Sequence, residues 1–556
     1  MKKKAKKTQP PENNIKDSEI RTFRDLIKYA RENKIIIGLI FAFTLLIYAN
    51  IITGDFVNLD DLSVALKLPI IQDFKLAMKA GDGHTMIMSA TYHIFGENSS
   101  AFHVQSIIMH MINGVLVFSL LRILFDRRIS IIGTFLFLAH PANTEAISWH
   151  AGQIYALRAN LILPILIFFA LYRKSGIKKY LVISNFIYLI GMMFFQTQGW
   201  MFIAPFLLVL MDQFLIEKKI NFKNIKFYLP IMIISLAFAA ILLPRSFKVR
   251  VEELNTLYYV NTEASTPLIN RIPYIIYMEF RTLFYPKVLS IYHEGKYISP
   301  VEYSFMIVVT LAVISGIIYF LKKDRRVSGL LLMILFSILP SFSPVIIAWL
   351  AAERYLYIPS IFSSVLIALF LMWVEGKINK NSKNEKSELK KNFGTYSFLI
   401  ILVLYSIRTV ARNVDLRNSK NLWIATKKTA PYSYRVYNNM GDVLANEGDL
   451  DGALENFKRS VALKPDYADA VHNIGHIYMV KKDYPQAIFH LQKSLDMNPR
   501  LYPSAYKLGI IYAGQGEYEK AKSYFENCLE FSPDNPDCIQ GISAVEQLML
   551  QKDQSQ

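Results

Sequence analysis

The 556 residues are 53% hydrophobic and 13% aromatic, with a mean hydropathy of +0.26, too apolar for an ordinary soluble enzyme. Apolar runs of roughly 17–25 residues, the length at which a helix spans a bilayer, recur through the first three quarters of the chain. The net charge of +18 lies in short loops between those runs, which is the positive-inside signal and not the footprint of a nucleic-acid binder.

In chain order, residues 1–34 are polar and basic ("MKKKAKK", then "RTFRDLIKYARENK") and read as a cytoplasmic tail. No A-x-A-like cleavage site follows the first apolar run, so that run reads as a retained helix. Eleven spans are expected over a membrane domain at 35–411. They fall at about 35–53, 101–121, 129–148, 152–172, 180–196, 198–216, 227–244, 301–321, 328–347, 353–374 and 395–411. The loops at 122–128, 173–179, 217–226 and 322–326, and the charged linker loop at 376–394, all carry basic excess on the same side. With the N-terminus inside, the loop 54–100, the segment 245–300 and everything after 411 lie outside. Within 245–300, "RIPYIIYMEFRTLFYP" (271–286) contains Glu279 and Arg281 and reads as an interfacial or re-entrant helix.

After a connector at 412–430 the sequence repeats itself. Pro431, Pro465, Pro499 and Pro533 are 34 residues apart, and Gly441, Gly475 and Gly509 share the period, as do Ala453, Ala487 and Ala521. That period indicates three tetratricopeptide repeats over 431–533, with a capping helix and tail at 534–556. The fold class is therefore all-α: a polytopic helical membrane domain followed by an α-solenoid. Cys528 and Cys538 are too few for a disulfide framework or a zinc site; they form one bridge or stay as two thiols.

The chemistry-bearing candidate in the first outer loop is "FVNLDDLSVALKLP" (56–69), with Asp60 and Asp61 side by side. A carboxylate at the membrane surface suits transfer from a lipid-linked sugar, where it takes a proton from the attacking hydroxyl. Mutual repulsion raises the pKa of such a pair. The same two residues are the only candidates for a divalent metal, and capping a helix from Leu62 is the structural alternative.

Several stretches in fixed order resemble the multi-span C-type glycosyltransferases with tetratricopeptide tails, the transmembrane-and-TPR protein O-mannosyltransferase type and its bacterial relatives. They are "LDDL" after span one, "YHIFGENSSAFHVQSIIMHMINGVLVF" (92–118), "LAHPANTEAISW" (138–149) and "AAERYLYIPS" (351–360). The resemblance implies an inverting transferase with a polyprenyl-phosphate sugar donor. It implies Asp60 or Asp61 as base and Arg354 as holder of the lipid phosphate, oriented by Glu353. His140 and Glu145 are candidates because ionisable groups at membrane depth are functional by default. Arg158, Arg281 and His84 complete the substrate-binding set, while His103 and His110 read as packing residues. Three stretches depart from the family pattern: "HTM" (84–86) replaces R-P-L, "RAN" (158–160) replaces R-A-D, and "FQT" (195–197) replaces S-K-E.

The leading expectation is a transferase acting on a hydroxyl, protein serine or threonine, on the extracytoplasmic side of a bacterial inner membrane. Its repeats would recruit the acceptor or a partner. The donor, a protein and membrane lipid are its partners; no nucleic acid and no cofactor are required. The alternative is a catalytically degenerate scaffold for an envelope complex. A lipid-linked-glycan transporter ranks third, since the halves show no internal symmetry.

Overall fold

The computed structural model describes residues 19–59, 61, 69–194, 197–256, 268–293, 298–342, 350–381 and 388–555. Among these, every regular element is helical. Each of the eleven expected runs carries a helix. Seven helices are long and apolar enough to cross a membrane: Lys34–Ile51, Ser99–Leu124, His150–Ser175, Phe222–Leu242, Pro300–Lys323, Pro359–Lys380 and Phe393–Asp415. The other four runs hold shorter helices, at Arg127–Ala139, Lys178–Phe194, Ile203–Leu210 and Arg325–Ser337.

The third run shows why length fails there. His140 is extended (φ −64°, ψ 119°), the conformation imposed on a residue before proline, and Pro141 stops the helix. The chain then turns through Pro141–Asn143, Thr144–Ser148 and His150–Gln153 before the next long helix begins at Ile154. All residues from 141 to 150 are buried. An apolar run that reads as one span is thus a helix followed by a packed, irregular plug. Irregular backbone at this depth is tolerated where protein surrounds it.

His150–Ser175 and Ser99–Leu124 are the most enclosed of the long helices, whereas Phe222–Leu242 and Pro300–Lys323 present most of their surface outward. Residues 271–284 of the segment 271–286 lie in the helix Leu268–Phe284, whose buried face includes Ile275, Ile276, Met278, Glu279 and Leu283. It packs against Pro300–Lys323 and Pro359–Asn381.

The repeats are three antiparallel helix pairs, Tyr434–Asn446 with Leu450–Leu463, Ala468–Val480 with Tyr484–Met497, and Tyr502–Gly514 with Tyr518–Phe531, followed by Pro536–Ser555. The periodic glycines are where paired helices touch. A Cβ on Gly441 would lie 2.6 Å from the Phe457 ring, and one on Gly509 2.6 Å from Phe525. Cys528 and Cys538 are bonded to each other, tying the third repeat to the final helix.

A separate apolar core joins the repeats to the membrane domain. It contains Val57 from the loop 54–100, Trp149, both Ile291 and Tyr292 from the segment 245–300, Leu416, Leu422 and Trp423 from the connector, and Val436 from the first repeat. Trp423 is completely buried and stacks on Tyr292 at 5.8 Å.

Candidate functional site

The loop 54–100 is fixed before its aspartate pair is reached. Gly54 passes so close to its neighbours that a Cβ would meet Ile51 O at 2.9 Å, Arg417 O at 3.1 Å and His103 Nε2 at 3.1 Å. Asp55 N–H donates to Arg417 O at 2.8 Å. Asp61 is 1% exposed, and its two carboxylate oxygens accept from Val57 N–H and Ala151 N–H, each at 3.0 Å. The Asp61 carboxylate therefore ties the loop to the turn that starts the helix Ile154–Ser175. Asp60 lies outside the described residues, as do Leu62 and the residues up to 68.

A buried charged node lies where the plug meets the "AERYLY" turn. Arg354 pairs with Glu145 through its guanidinium, and its own N–H donates to Glu145 Oε2 at 3.0 Å. Glu353 accepts from Arg412 Nη2 at 3.1 Å and Nε at 3.3 Å, and Arg412 Nη1 reaches Asp415 at 3.4 Å. Sequence adjacency suggested that Glu353 orients Arg354. Instead each takes a different partner, because side chains of consecutive residues in a helical turn do not face each other. Charges this deep persist only when paired and hydrogen-bonded. Glu279 is buried within electrostatic range of Glu145 and Arg354.

Aromatic rings bridge this node to a second arginine. Arg354 sits 5.1 Å from the Trp149 ring and 5.1 Å from the Tyr355 ring. Tyr355 lies 5.4 Å from Trp200 and 5.7 Å from Tyr155, and Arg158 sits 5.0 Å from the Tyr155 ring and 5.9 Å from that of Trp200. Cation–π attraction suits arginines held away from water. His84, at the start of the helix Gly83–Phe95, faces Arg158 and Asp82; burial, aided by Arg158, pushes its imidazole down to about 4.

On the other flank, Arg281 stands 5.8 Å from the Tyr277 ring and makes no ion pair among the described residues. His293 lies between Arg281 and Arg412; burial and those two cations push it down to about 3, so it is neutral. Arg408 is half-buried beside Arg412 and likewise has no ion pair within salt-bridge distance among the described residues. His140 donates from Nε2 to Leu283 O at 3.0 Å and accepts at Nδ1 from Ala142 N–H at 3.2 Å. It holds the plug against the helix Leu268–Phe284 and has no ring nitrogen left for a substrate. His110 bonds Tyr357 Oη at 2.6 Å and Leu138 O at 3.2 Å, and the His103 ring lies 4.1 Å from that of His150, tilted by 43°. Asn160 donates to Ala156 O at 3.1 Å within its own helix and to Met109 O of the helix Ser99–Leu124 at 3.4 Å, and the side chain of Thr197 lies outside the described residues.

Glu145, Arg354, Glu353 and Arg158 are thus brought together, with Arg281 and His84 on the flanks and Asp61 tied to the same plug. Sequence reading missed Arg412, Arg408, His293, Tyr155 and Trp200. The two arginines carried a signal, since a cation in the last apolar run needs a partner or a role. No group of three or more His, Cys, Asp or Glu side chains among the described residues is placed to hold a metal ion.

Comparison with family models agrees with the repeat architecture of the C-terminal part. Family models for TPR and tetratricopeptide repeats match residues 441–482, 468–501 and 503–535. The C-terminal domain is a tetratricopeptide-repeat domain. The chain is similar to protein O-mannosyl-transferases. It is 23% identical to protein O-mannosyl-transferase TMTC3 of Mus musculus over 404 residues, covering 66% of this chain and 42% of that protein. A shorter match, 27% over 126 residues, covers 23% of this chain and 14% of protein O-mannosyl-transferase tmtc2 of Xenopus laevis. The chain thus spans about two fifths of the TMTC3 relative's length. Among solved structures it is similar to the archaeal oligosaccharyltransferase AglB from Archaeoglobus fulgidus in complex with an inhibitory peptide and a dolichol-phosphate. That match has 14% identity and a TM-score of 0.39, covering 68% of this chain and 56% of that one.

Proposed function

We propose that the protein is a membrane glycosyltransferase that moves a sugar from a polyprenyl-phosphate carrier to an acceptor hydroxyl on the extracytoplasmic side, with protein serine or threonine as acceptor. The observation that carries this is the extent of similarity to protein O-mannosyl-transferases. A match over 66% of the chain cannot be confined to a repeat domain that begins near residue 431. The Cys528–Cys538 bond supports an oxidising, extracytoplasmic setting for the repeats.

In this reading the Asp60–Asp61 pair supplies the base. Asp61 holds the loop on the plug through the Val57 and Ala151 amides, and Asp60 takes the acceptor's proton. The leaving lipid phosphate needs positive charge aimed at its oxygens. Arg281 and Arg408 suit this because neither has a carboxylate within salt-bridge distance among the described residues. Arg354 and Arg412 are neutralised by Glu145 and Glu353 and keep the node rigid. A guanidinium matches phosphate oxygens with two parallel donors.

The test is turnover of polyprenyl-phosphate sugars by the detergent-purified chain. Wild type consumes donor, Asp60→Asn abolishes consumption with folding intact, and Arg281→Ala raises the donor KM. No consumption across a broad donor panel with cell extract as acceptor would sink the proposal. A second reading, a retired transferase serving as a membrane-anchored repeat scaffold, draws on Asn160, a neutral amide where the family pattern has an acid.

A further inference from the structure

A groove of about 350 Å3 runs between two helices of the membrane domain, Lys178–Phe194 and Ile225–Thr256. Val182, Asn185, Phe186 and Leu189 line one wall, and Pro230 and Ile234 the other. Val182 and Phe186 are 66% and 59% exposed, so the groove is open to whatever surrounds the helices. Asn185 is the one polar residue among those lining it, and its Nδ2 donates to Leu181 O at 2.8 Å within its own helix. On the protein side Tyr188 is completely buried, and its Oη lies 2.7 Å from Ser235 Oγ, which holds the two helices together. The groove is therefore a fixed, apolar trough.

Helical spacing puts a lysine at the head of each wall. Lys178, Val182, Asn185 and Leu189 recur at i, i+4, i+7 and i+11 on one face of the first helix, and Lys226, Pro230 and Ile234 at i, i+4 and i+8 on the second. Both helices start from basic loops, 173–179 and 217–226, so Lys178 and Lys226 stand at the same end of the trough, with Lys179 and Lys223 beside them. All four are exposed. Lys226 Nζ lies 5.2 Å from the Phe227 ring and Lys179 Nζ 5.5 Å from that of Tyr180, and none of the four makes an ion pair among the described residues. The carboxylates of the adjoining segments are already matched: Asp212 and Glu217 by Arg173, and Glu19 by Arg21 and Lys174. An apolar trough between membrane helices, headed by unmatched ammonium groups, is complementary to a molecule with an acyl tail and an anionic head.

We propose that the trough seats an acyl chain of an anionic diacyl phospholipid from the leaflet on the basic-loop side, with Lys178 and Lys226 holding its phosphate. The inference goes beyond the transferase reading and does not depend on it; it needs only a chain embedded in a bilayer. The sugar carrier is not the occupant. The helix Ile154–Ser175 puts roughly 24 Å between Arg158 and Lys174, so a phosphate held at Lys178 lies far from the arginine node. Charged loops alone gather anionic lipid without fixing any one molecule; the trough adds a place for its chain.

The experiment is native mass spectrometry of the full chain, stripped of lipid in detergent and then titrated with dioleoyl phosphatidylglycerol or, separately, dioleoyl phosphatidylcholine. Wild type is expected to take up phosphatidylglycerol at least about tenfold more tightly than phosphatidylcholine, equivalent to about 1.4 kcal/mol. Lys178→Gln with Lys226→Gln should erase that preference. Val182→Trp, which fills the trough from an exposed position, should weaken uptake of both lipids at least about tenfold with the lysines intact. Lys322→Gln with Lys323→Gln removes the same charge from another exposed helix end on the basic-loop side and should change nothing. Unaltered thermal unfolding midpoints show that the variants are folded. The assignment is overturned by no uptake, by equal affinity for the two lipids, by a Lys178/Lys226 variant that keeps the preference, by a control that loses it equally, or by undiminished uptake in Val182→Trp. Polyprenyl phosphate displacing phosphatidylglycerol at equal concentration would give the trough to the sugar carrier, and a dimer in detergent that Val182→Trp dissolves would give it to a second copy of the chain; either result overturns the assignment.

Discussion

Arg354 and Glu145 are 4% and 0% exposed, so neither charge can turn to water if its partner is lost. Removing one side of such a pair costs about 3–5 kcal/mol, mostly the penalty for the charge left behind. Arg354→Met should therefore lower the thermal midpoint of the detergent-solubilised protein sharply. Adding Glu145→Gln should recover most of that loss, because the stranded carboxylate is gone. If the single variant unfolds like wild type, the pair is not buried as described. At this scale the sequence singled out Glu145, Glu353, Arg354 and Arg158 because each is an ionisable group in or beside an apolar run, and the fold links them through ion pairs and aromatic rings. The sequence did not reveal who pairs with whom. Glu353 and Arg412 are 59 residues apart, and no local period encodes a partner at that distance. Arg281 and His293 meet for the same reason, through folding and not through spacing.

The elements divide between those whose pattern is local and those that a neighbour decides. The repeats were legible down to their glycines because each helix pair solves the same packing problem every 34 residues. Gly509→Ala should cost about 1–3 kcal/mol, the range for overpacking a close contact, because the added Cβ meets three atoms of the Phe525 ring within 2.9 Å. Thermal unfolding of the full chain would register it; Gly316→Ala, where a Cβ meets nothing within 4 Å, is the neutral control. The third span was misjudged in length because hydropathy sees an apolar run, while His140–Pro141 breaks it and burial keeps the broken part dry. The repeats also carry a titration. Burial, reinforced by Asp469, raises the Asp442 carboxyl from 3.8 to about 7. Between those values the folded chain keeps a proton that the unfolded chain releases, so this group's contribution to stability falls as pH rises through that window and is flat above it. Asp442→Asn should thus be more stable than wild type near pH 8, by on the order of 1 kcal/mol or more, with the gain shrinking toward about pH 4. His472 and His476, pushed down to about 3 and 4 by burial and Lys507, slope the other way. The variant-minus-wild-type difference isolates Asp442, and a difference that grows on acidification would refute its assignment.

For the whole molecule, the decisive feature is that the repeat domain does not hang from a flexible tether. Trp423 is buried among side chains from the loop 54–100, the segment 245–300 and the first repeat, and its indole N–H holds Asn58. The same core that docks the solenoid therefore fixes the loop carrying Asp60 and Asp61. Truncating a buried tryptophan to alanine costs about 3–5 kcal/mol, here concentrated at a junction and not in either domain's own core. Trp423→Ala should leave the membrane helices and the repeats folded but release them from each other, making the connector at 412–430 sensitive to limited proteolysis. Trp423→Phe keeps most of the buried ring and deletes only the bond to Asn58, so it should preserve docking and resist proteolysis. If the loop's order matters for transfer, donor turnover should fall in both variants. Proteolysis that leaves the Trp423→Ala connector intact would mean that the remaining contacts, Asp55 to Arg417 and Thr429 to Ser290, are enough to hold the two domains as one body.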